Sequence, residues 1–225
     1  LVPGRPGGGA SPVSPSGPPG ELRGWIERHL DPLDGAPPAT AASDFDLAPD
    51  AFPDAPAELT PAAVLVGLIE RPAGYSVLLT RRADTLRRHT GQIALPGGRC
   101  DPGETPWTTA LREAHEEVGL APDYVSVAGL SSPYRTGTGY LVTPVVGFIR
   151  QGFSLQANPD EVADIFETPF GFLMDPANHE QHERQGPGGQ TRRFYAMTHE
   201  DRFIWGATAG MLRALYERLY GAAVA

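Results

Sequence analysis

Apolar positions along the chain follow two different periods. Ala62–Glu70 (AAVLVGLIE) and Tyr75–Thr80 (YSVLLT) are nearly unbroken runs of strand-forming residues. The turn residues Arg71-Pro72-Ala73-Gly74 between them predict a hairpin. Runs this apolar imply a sheet covered on both faces, with helices on each side. Tyr124–Leu130 and Tyr140–Ile149 predict two more strands, and Pro144 asks that the second be an edge strand or carry a bulge. Gln92–Leu95 reads as a short strand feeding a Pro96-Gly97-Gly98 turn. Asn158–Phe166 starts a helix or strand, and Gln190–Thr198 and Phe203–Trp205 are short late strands. Helical spacing appears at Leu22, Trp25, Ile26 and Leu30, and again at Met211, Leu212, Leu215 and Leu219 within Thr208–Tyr220. The expected fold class is α/β (α+β), a mixed β-sheet sandwiched between α-helices. Residues 1–20, mostly Pro, Gly and Ser, read as a disordered or mobile tail. Residues 21–61 read as a short helix and a Pro/Ala-rich lead-in, and residues 62–225 as the domain.

The best-marked helix lies between Thr105 and Gly119. Thr105 suits the N-cap, Pro106 the first helical position, and Gly119 the left-handed stop. Leu111, Ala114 and Val118 form its predicted core stripe. Glu113, Glu116 and Glu117 stand at i, i+3 and i+4, on an acid face expected nearly opposite that stripe. Carboxylates in a last turn oppose the helix dipole and repel one another. A helix shaped by stability alone would carry Lys or Arg there, so the acids point to function. Clustered oxygen donors suit Mg²⁺ or Mn²⁺, which keep coordination places for substrate phosphates. Arg112 is placed to reach Glu116.

Composition narrows the partners. With 27 acidic against 18 basic residues the chain is acidic, which disfavours nucleic acid. No apolar run approaches the roughly 20 residues of a membrane span, so no membrane partner is expected. A single cysteine, Cys100, excludes an internal disulfide and fits a reducing, cytoplasmic setting. Against this acidic background, Arg81, Arg82, Arg87, Arg88 and His89 gather basic charge within Arg81–Gly98. Guanidinium groups grip phosphate in bidentate fashion. Glu161 is a candidate extra ligand or base. His179 and His182, in the polar stretch HEQH, lack the further ligands a zinc site needs and read as solvated loop.

The segment Gly98 to Leu120 resembles the Nudix box: Gly98, then Glu104, then Arg112-Glu113-Ala114-His115-Glu116-Glu117-Val118-Gly119-Leu120. Only Ala114 is smaller than the usual aliphatic residue. Upstream, Leu78-Leu79-Thr80-Arg81-Arg82-Ala83, Arg87, Gly91 and Leu95-Pro96-Gly97-Gly98 resemble the pattern of coenzyme A diphosphatases in that group, with Leu95 in place of Phe. The resemblance implies the Nudix fold and divalent-metal-dependent hydrolysis of a nucleoside diphosphate-linked small molecule. Coenzyme A or its thioesters, cut to 3′,5′-ADP and 4′-phosphopantetheine, come first. ADP-ribose or another nucleoside diphosphate derivative is the alternative, and a noncatalytic nucleotide-binding module is a second one. The implied metal ligands are Glu113, Glu116, Glu117 and the Gly97 carbonyl. Arg112, Glu113, Glu116 and Glu161 form the implied catalytic set, with Glu116 or Glu161 as base. Arg82, Arg87, Arg88, His89 and Gln92 are the implied substrate contacts. Whether the chain is a monomer or homodimer is left open.

Overall fold

The structure is a computed structural model, which describes residues 13–34, 42–49, 58–83, 91–186 and 189–221. Arg87, Arg88 and His89 lie outside these residues. In chain order the elements are α1 (Pro19–His29), β1 (Ala42–Ser43), β2 (Thr60–Arg71), β3 (Gly74–Arg82), β4 (Ile93–Ala94), β5 (Gly97–Arg99), α2 (Pro106–Val118), β6 (Val125–Leu130), β7 (Tyr134–Arg135) and β8 (Tyr140–Ile149). They are followed by β9 (Val162–Pro169), α3 (Phe170–Leu173), β10 (Glu180–Gln185), β11 (Thr191–His199), β12 (Arg202–Trp205) and α4 (Ala207–Tyr220).

Among the described residues β1 to β9 make one mixed sheet, with β2 and β8 parallel at its centre. Successive side chains of a strand point to opposite faces, and β2 obeys this strictly. Ala62, Val66 and Leu68 enter one apolar cluster, which α1 and α4 cover. Ala63, Leu65 and Ile69 enter a second, which α2 covers. The unbroken apolar run therefore has the predicted cause, a core on each side.

The β2–β3 hairpin pairs only from Leu68 to Val77. Beyond that the strands part. β5 continues along β2, and β4 along β3. This fork holds the stretch Pro96–Arg99 extended beneath α2.

Four expectations are corrected. The Pro96-Gly97-Gly98 stretch is not a tight turn: Gly97 and Gly98 belong to β5, paired with Val64 and Ala63. Pro144 lies in a central strand, not at an edge, and the bulge in the adjoining ladder falls in β6 between Val127 and Gly129 rather than at the proline. Its carbonyl accepts from Ser131 N on the side where β6 gives way to β7. A residue's N and O point the same way in a strand, so the absent N–H faces that break and leaves no ladder bond unmade. The HEQH stretch is not a solvated loop. It leads into β10, part of a separate three-stranded antiparallel sheet, β10-β11-β12. There His179 is buried, bonded to the Leu173 carbonyl, and His182 stacks near Phe194. Finally, of the stretch expected to be tail, residues 1–12 lie outside the described residues and the remainder takes up structure. Val13 packs on the core, and α1 begins at Pro19, inside the stretch expected to be tail.

Candidate active site

The acids sit where α2 crosses β5. Thr105 caps α2 by accepting from Thr108 N, Pro106 opens it, and Gly119 closes it at φ 69°. Both caps are as the sequence predicts. The core stripe differs: Ala110, Ala114 and Val118 are fully buried, while Leu111 is only partly covered. The acid face is not opposite this stripe but beside it. At about 100° per residue, Glu117 falls between Glu113 and Ala110 around the helix. The three carboxylates consequently differ in exposure. The side chain of Glu117 is 5% exposed, that of Glu113 16% and that of Glu116 52%.

Glycine serves close approach here. A Cβ on Gly97 would strike Ala63 O and the Val64 backbone, and one on Gly98 would strike the Glu113 carboxylate. In the β5 ladder Leu65 N donates to Pro96 O, and Cys100 N to Pro61 O. The intervening Gly97 and Arg99 therefore turn their polar groups away from β2, towards α2. Gly97 N donates to Glu117 at 3.2 Å, and the Arg99 carbonyl accepts from Arg112 at 3.1 Å.

Arg112 is the hub of the exposed half. Its guanidinium grips Glu104 bidentately at 2.8 and 3.0 Å, and reaches Glu113 at 2.9 Å and Glu116 at 3.0 Å. Glu104 also accepts from Asp101 N and Thr109 Oγ1. The Arg112 bonds foremost, then these, hold its carboxyl down at about 2. Arg112 does reach Glu116, as expected, but its strongest grip is on Glu104, which the sequence reading kept only as a motif position. Arg112 thus ties Glu104, Glu113, Glu116 and the Arg99 carbonyl together.

The buried half is under electrostatic load. Burial pushes Glu117 up to about 7, against the pull of the Gly97 amide and Arg82. The Arg82 guanidinium stands 3.9 Å from it. Burial also raises Glu113, opposed by Arg112. The Glu161 charge contributes to both shifts, so the structure brings this residue to the box. Glu161 is tied there through its carbonyl, which accepts from Ala83 N just past β3. Arg82 Nε is buried with no hydrogen-bond partner among the described residues. Gln92 lies on the other side of β3, its carbonyl accepting from Arg82 N, and it borders a separate cavity. Tyr134, expected in a loop, lies in β7, is turned inward and donates to Asp44.

Among the described residues no three His, Cys, Asp or Glu side chains converge closely enough to enclose an ion as they stand. The donor set nonetheless fits a hard divalent cation. Its donors are carboxylate oxygens beside turned-out backbone groups, and one carboxylate is buried with less compensation than its charge requires.

A family model described as NUDIX domain matches residues 59–185. The chain is 40% identical over 159 residues to the uncharacterized Nudix hydrolase NudL of Yersinia pestis (strain Pestoides F), a match covering 70% of this chain and 79% of that one. The NudL of Yersinia pseudotuberculosis serotype O:1b (strain IP 31758) matches equally. A solved structure with a similar course is the Nudix hydrolase RenU from M. smegmatis, at TM-score 0.46 and 23% identity over 73% of this chain and 88% of that chain. Among the described residues no helix is long and apolar enough to cross a membrane.

Proposed function

The chain belongs to the Nudix family, and from that premise we propose that it hydrolyses the diphosphate bridge of a nucleoside diphosphate-linked small molecule, with coenzyme A or its thioesters as the preferred class. The observation that carries this reading is the buried Glu117 carboxylate beside Gly97 N and Arg82, a charge held in place at a cost to the fold.

Glu113, Glu116, Glu117 and the Gly97 carbonyl would hold Mg²⁺ or Mn²⁺. Such an ion offsets phosphate charge and makes water a nucleophile near neutral pH. The chain's own part is to orient and to move a proton. Arg112 fixes Glu113 and Glu116 relative to β5. Arg82, with an unused Nε donor, suits a diphosphate oxygen. Glu116 or Glu161 takes the proton of the attacking water. Arg87, Arg88 and His89 belong to this phosphate-binding set, on the resemblance of their segment to the coenzyme A diphosphatase pattern. The products from coenzyme A are 3′,5′-ADP and 4′-phosphopantetheine.

The test is a substrate panel of coenzyme A, dephospho-coenzyme A and ADP-ribose with Mg²⁺ and with Mn²⁺, products identified by mass. Coenzyme A should give the highest kcat/KM. A preference for ADP-ribose moves the chain to another substrate class within the family. Glu116→Gln and Glu161→Gln distinguish the two candidate bases, since only replacement of the true base removes the acid limb of the kcat profile, where protonation of that carboxylate cuts turnover. Full turnover in Glu117→Gln overturns the hydrolytic reading itself.

A further inference from the structure

The β10-β11-β12 sheet carries a feature that folding does not explain. Its register sets Arg184 directly opposite Arg192, His182 opposite Phe194, and Ala196 opposite Trp205. Opposed residues share a face, so Arg184, Arg192, Phe194 and Trp205 all project from one side. The other side carries Met197 and Ile204, both buried in the core with α4. Like charges directly opposed across two strands are destabilising, and the chain has a net charge of −9 with acids to spare. Arg193, on the opposite face, has such a partner in Glu183 at 2.7 Å. Arg192 is attracted by Asp44, whereas the exposed Arg184 side chain has no counter-charge bonded to it among the described residues.

This face is exposed at Arg184 and borders a cavity along the rest of its length. It forms one wall of a cavity of about 580 Å³, lined also by Thr136, Gly137, Thr138 and Gln92. That volume suits a small-molecule ligand. Phe194 and Trp205, ring centroids 5.4 Å apart, form an aromatic wall next to the arginines. Asp44 is the acid lining the cavity among the described residues, and its charge attracts Arg192 while its carboxylate oxygens accept from the opposite wall. Oδ1 accepts from Tyr134 Oη and Oδ2 from Gly137 N, each at 2.8 Å. The cavity therefore offers a flat aromatic surface, a pair of guanidinium groups, and backbone and hydroxyl donors.

We propose that this cavity seats the nucleoside end of the substrate, with an aromatic base against Trp205 and a phosphate outside the diphosphate bridge held between Arg184 and Arg192. A dianion between them converts an unfavourable cross-strand pair into two charge-assisted contacts. Gln92, which lines the cavity just before β4, accepts from Arg82 N, so one residue separates the cavity from the strand end that carries Arg82. The assignment rests on the proposed function, and it gives the extra phosphate to Arg184 and Arg192 rather than to Arg87.

The experiment is calorimetric titration of the full chain, with no divalent metal, using adenosine 3′,5′-bisphosphate, 5′-AMP and pantetheine as probes. Wild type should bind the bisphosphate at least tenfold more tightly than 5′-AMP, and pantetheine should not compete. Arg184→Gln, at an exposed position, should remove most of that tenfold preference and leave the 5′-AMP affinity within twofold. Trp205→Leu should weaken both nucleotides together, and Arg87→Ala should leave the preference intact. Retention of the preference in both Arg184→Gln and Arg192→Lys overturns the proposal, as does its loss in Arg87→Ala. Binding is read without turnover. A chain that hydrolyses coenzyme A but keeps its preference in Arg184→Gln refutes this seat alone. Unchanged turnover in Glu117→Gln refutes the enzyme reading whatever the titrations give.

Discussion

Glu117 is where function and stability oppose each other most directly. Its folded-state carboxyl stands near 7 against an ordinary 4.5 because burial disfavours the charge. A raised carboxyl binds its proton more tightly in the folded state than in the unfolded one. Its ionisation therefore weakens the metal-free fold above pH 7, and the penalty fades as pH falls from about 7 towards 4.5. In chelator, wild type should gain stability between pH 8 and pH 5 from this residue. Glu117→Gln should melt a few degrees higher than wild type at pH 8, a gain of roughly 1–3 kcal/mol, while losing at least about 100-fold in kcat. Thermal melts with chelator, paired with turnover assays, read both. A lower melting point for the variant at pH 8 removes the premise that the carboxylate is under load. Glu104 has the opposite sign. Arg112 holds it down at about 2, so its contribution is complete above 4.5 and lost as pH falls from there towards 2. Arg112→Lys, which loses the fork, should lower kcat about tenfold with little change in KM. An unchanged kcat contradicts its positioning role. The trio, its caps and Arg112's reach are legible in spacing alone. Unequal burial is not, because it depends on how closely α2 approaches β5. The small Ala114, which looked like a departure from the pattern, lies against the sheet with no exposure.

At the scale of elements, the fork between β2 and β3 makes the site, because it sets β5 under α2 and brings Gly98 against Glu113. Two glycines at either end of the motif should consequently respond differently. In Gly98→Ala the new methyl occupies the place of the Glu113 carboxylate, so activity should fall by more than about tenfold, with an overpacking cost of about 1–3 kcal/mol. In Gly119→Ala the strain falls on a left-handed cap, φ 69°, and on Gln156 behind it. That variant should lose about 1 kcal/mol or more yet keep most of its kcat at temperatures where it is folded. Comparing kcat with melting temperature for the two checks this, and parallel losses of activity contradict it. Element existence was readable because β2, β3 and β8 are strongly apolar and α1 and α4 keep a clean helical period. The β10 strand was not, because GluGlnHisGluArgGln has no apolar alternation. Its reason for being a strand lies across the ladder, in Phe194 and Tyr195. The clustering of Arg184, Arg192 and Trp205 around one cavity went unread for the same reason. They are far apart in sequence and meet only through register.

For the molecule as a whole, the question is whether the stretch before β2 belongs to the domain. The family match begins at residue 59, and the Pro- and Ala-rich composition of residues 31–61 invites a boundary there. The packing argues otherwise. Leu22 and Ile26 of α1 are fully buried, and Trp25 donates its indole N–H to the Leu219 carbonyl of α4. The end of α1 is held as well: Arg218 donates to the His29 carbonyl and to Asp31, each at 2.5 Å. Asp31 in turn pairs with Leu130 at the end of β6, and Ala42–Ser43 adds a parallel strand to β7. α4 also carries Thr208, whose hydroxyl bonds the Ile93 carbonyl on the strand entering the box. The helix that receives α1 thus also braces β4. Ile26→Ala should therefore cost about 2–5 kcal/mol, and unfolding should remain one transition by far-UV circular dichroism and by tryptophan fluorescence. If the lead-in were a separate appendage, the same variant would leave the main melting temperature unchanged and show a second, earlier transition. The burial of Leu22 and Ile26 against α4 makes the single shifted transition the expected result.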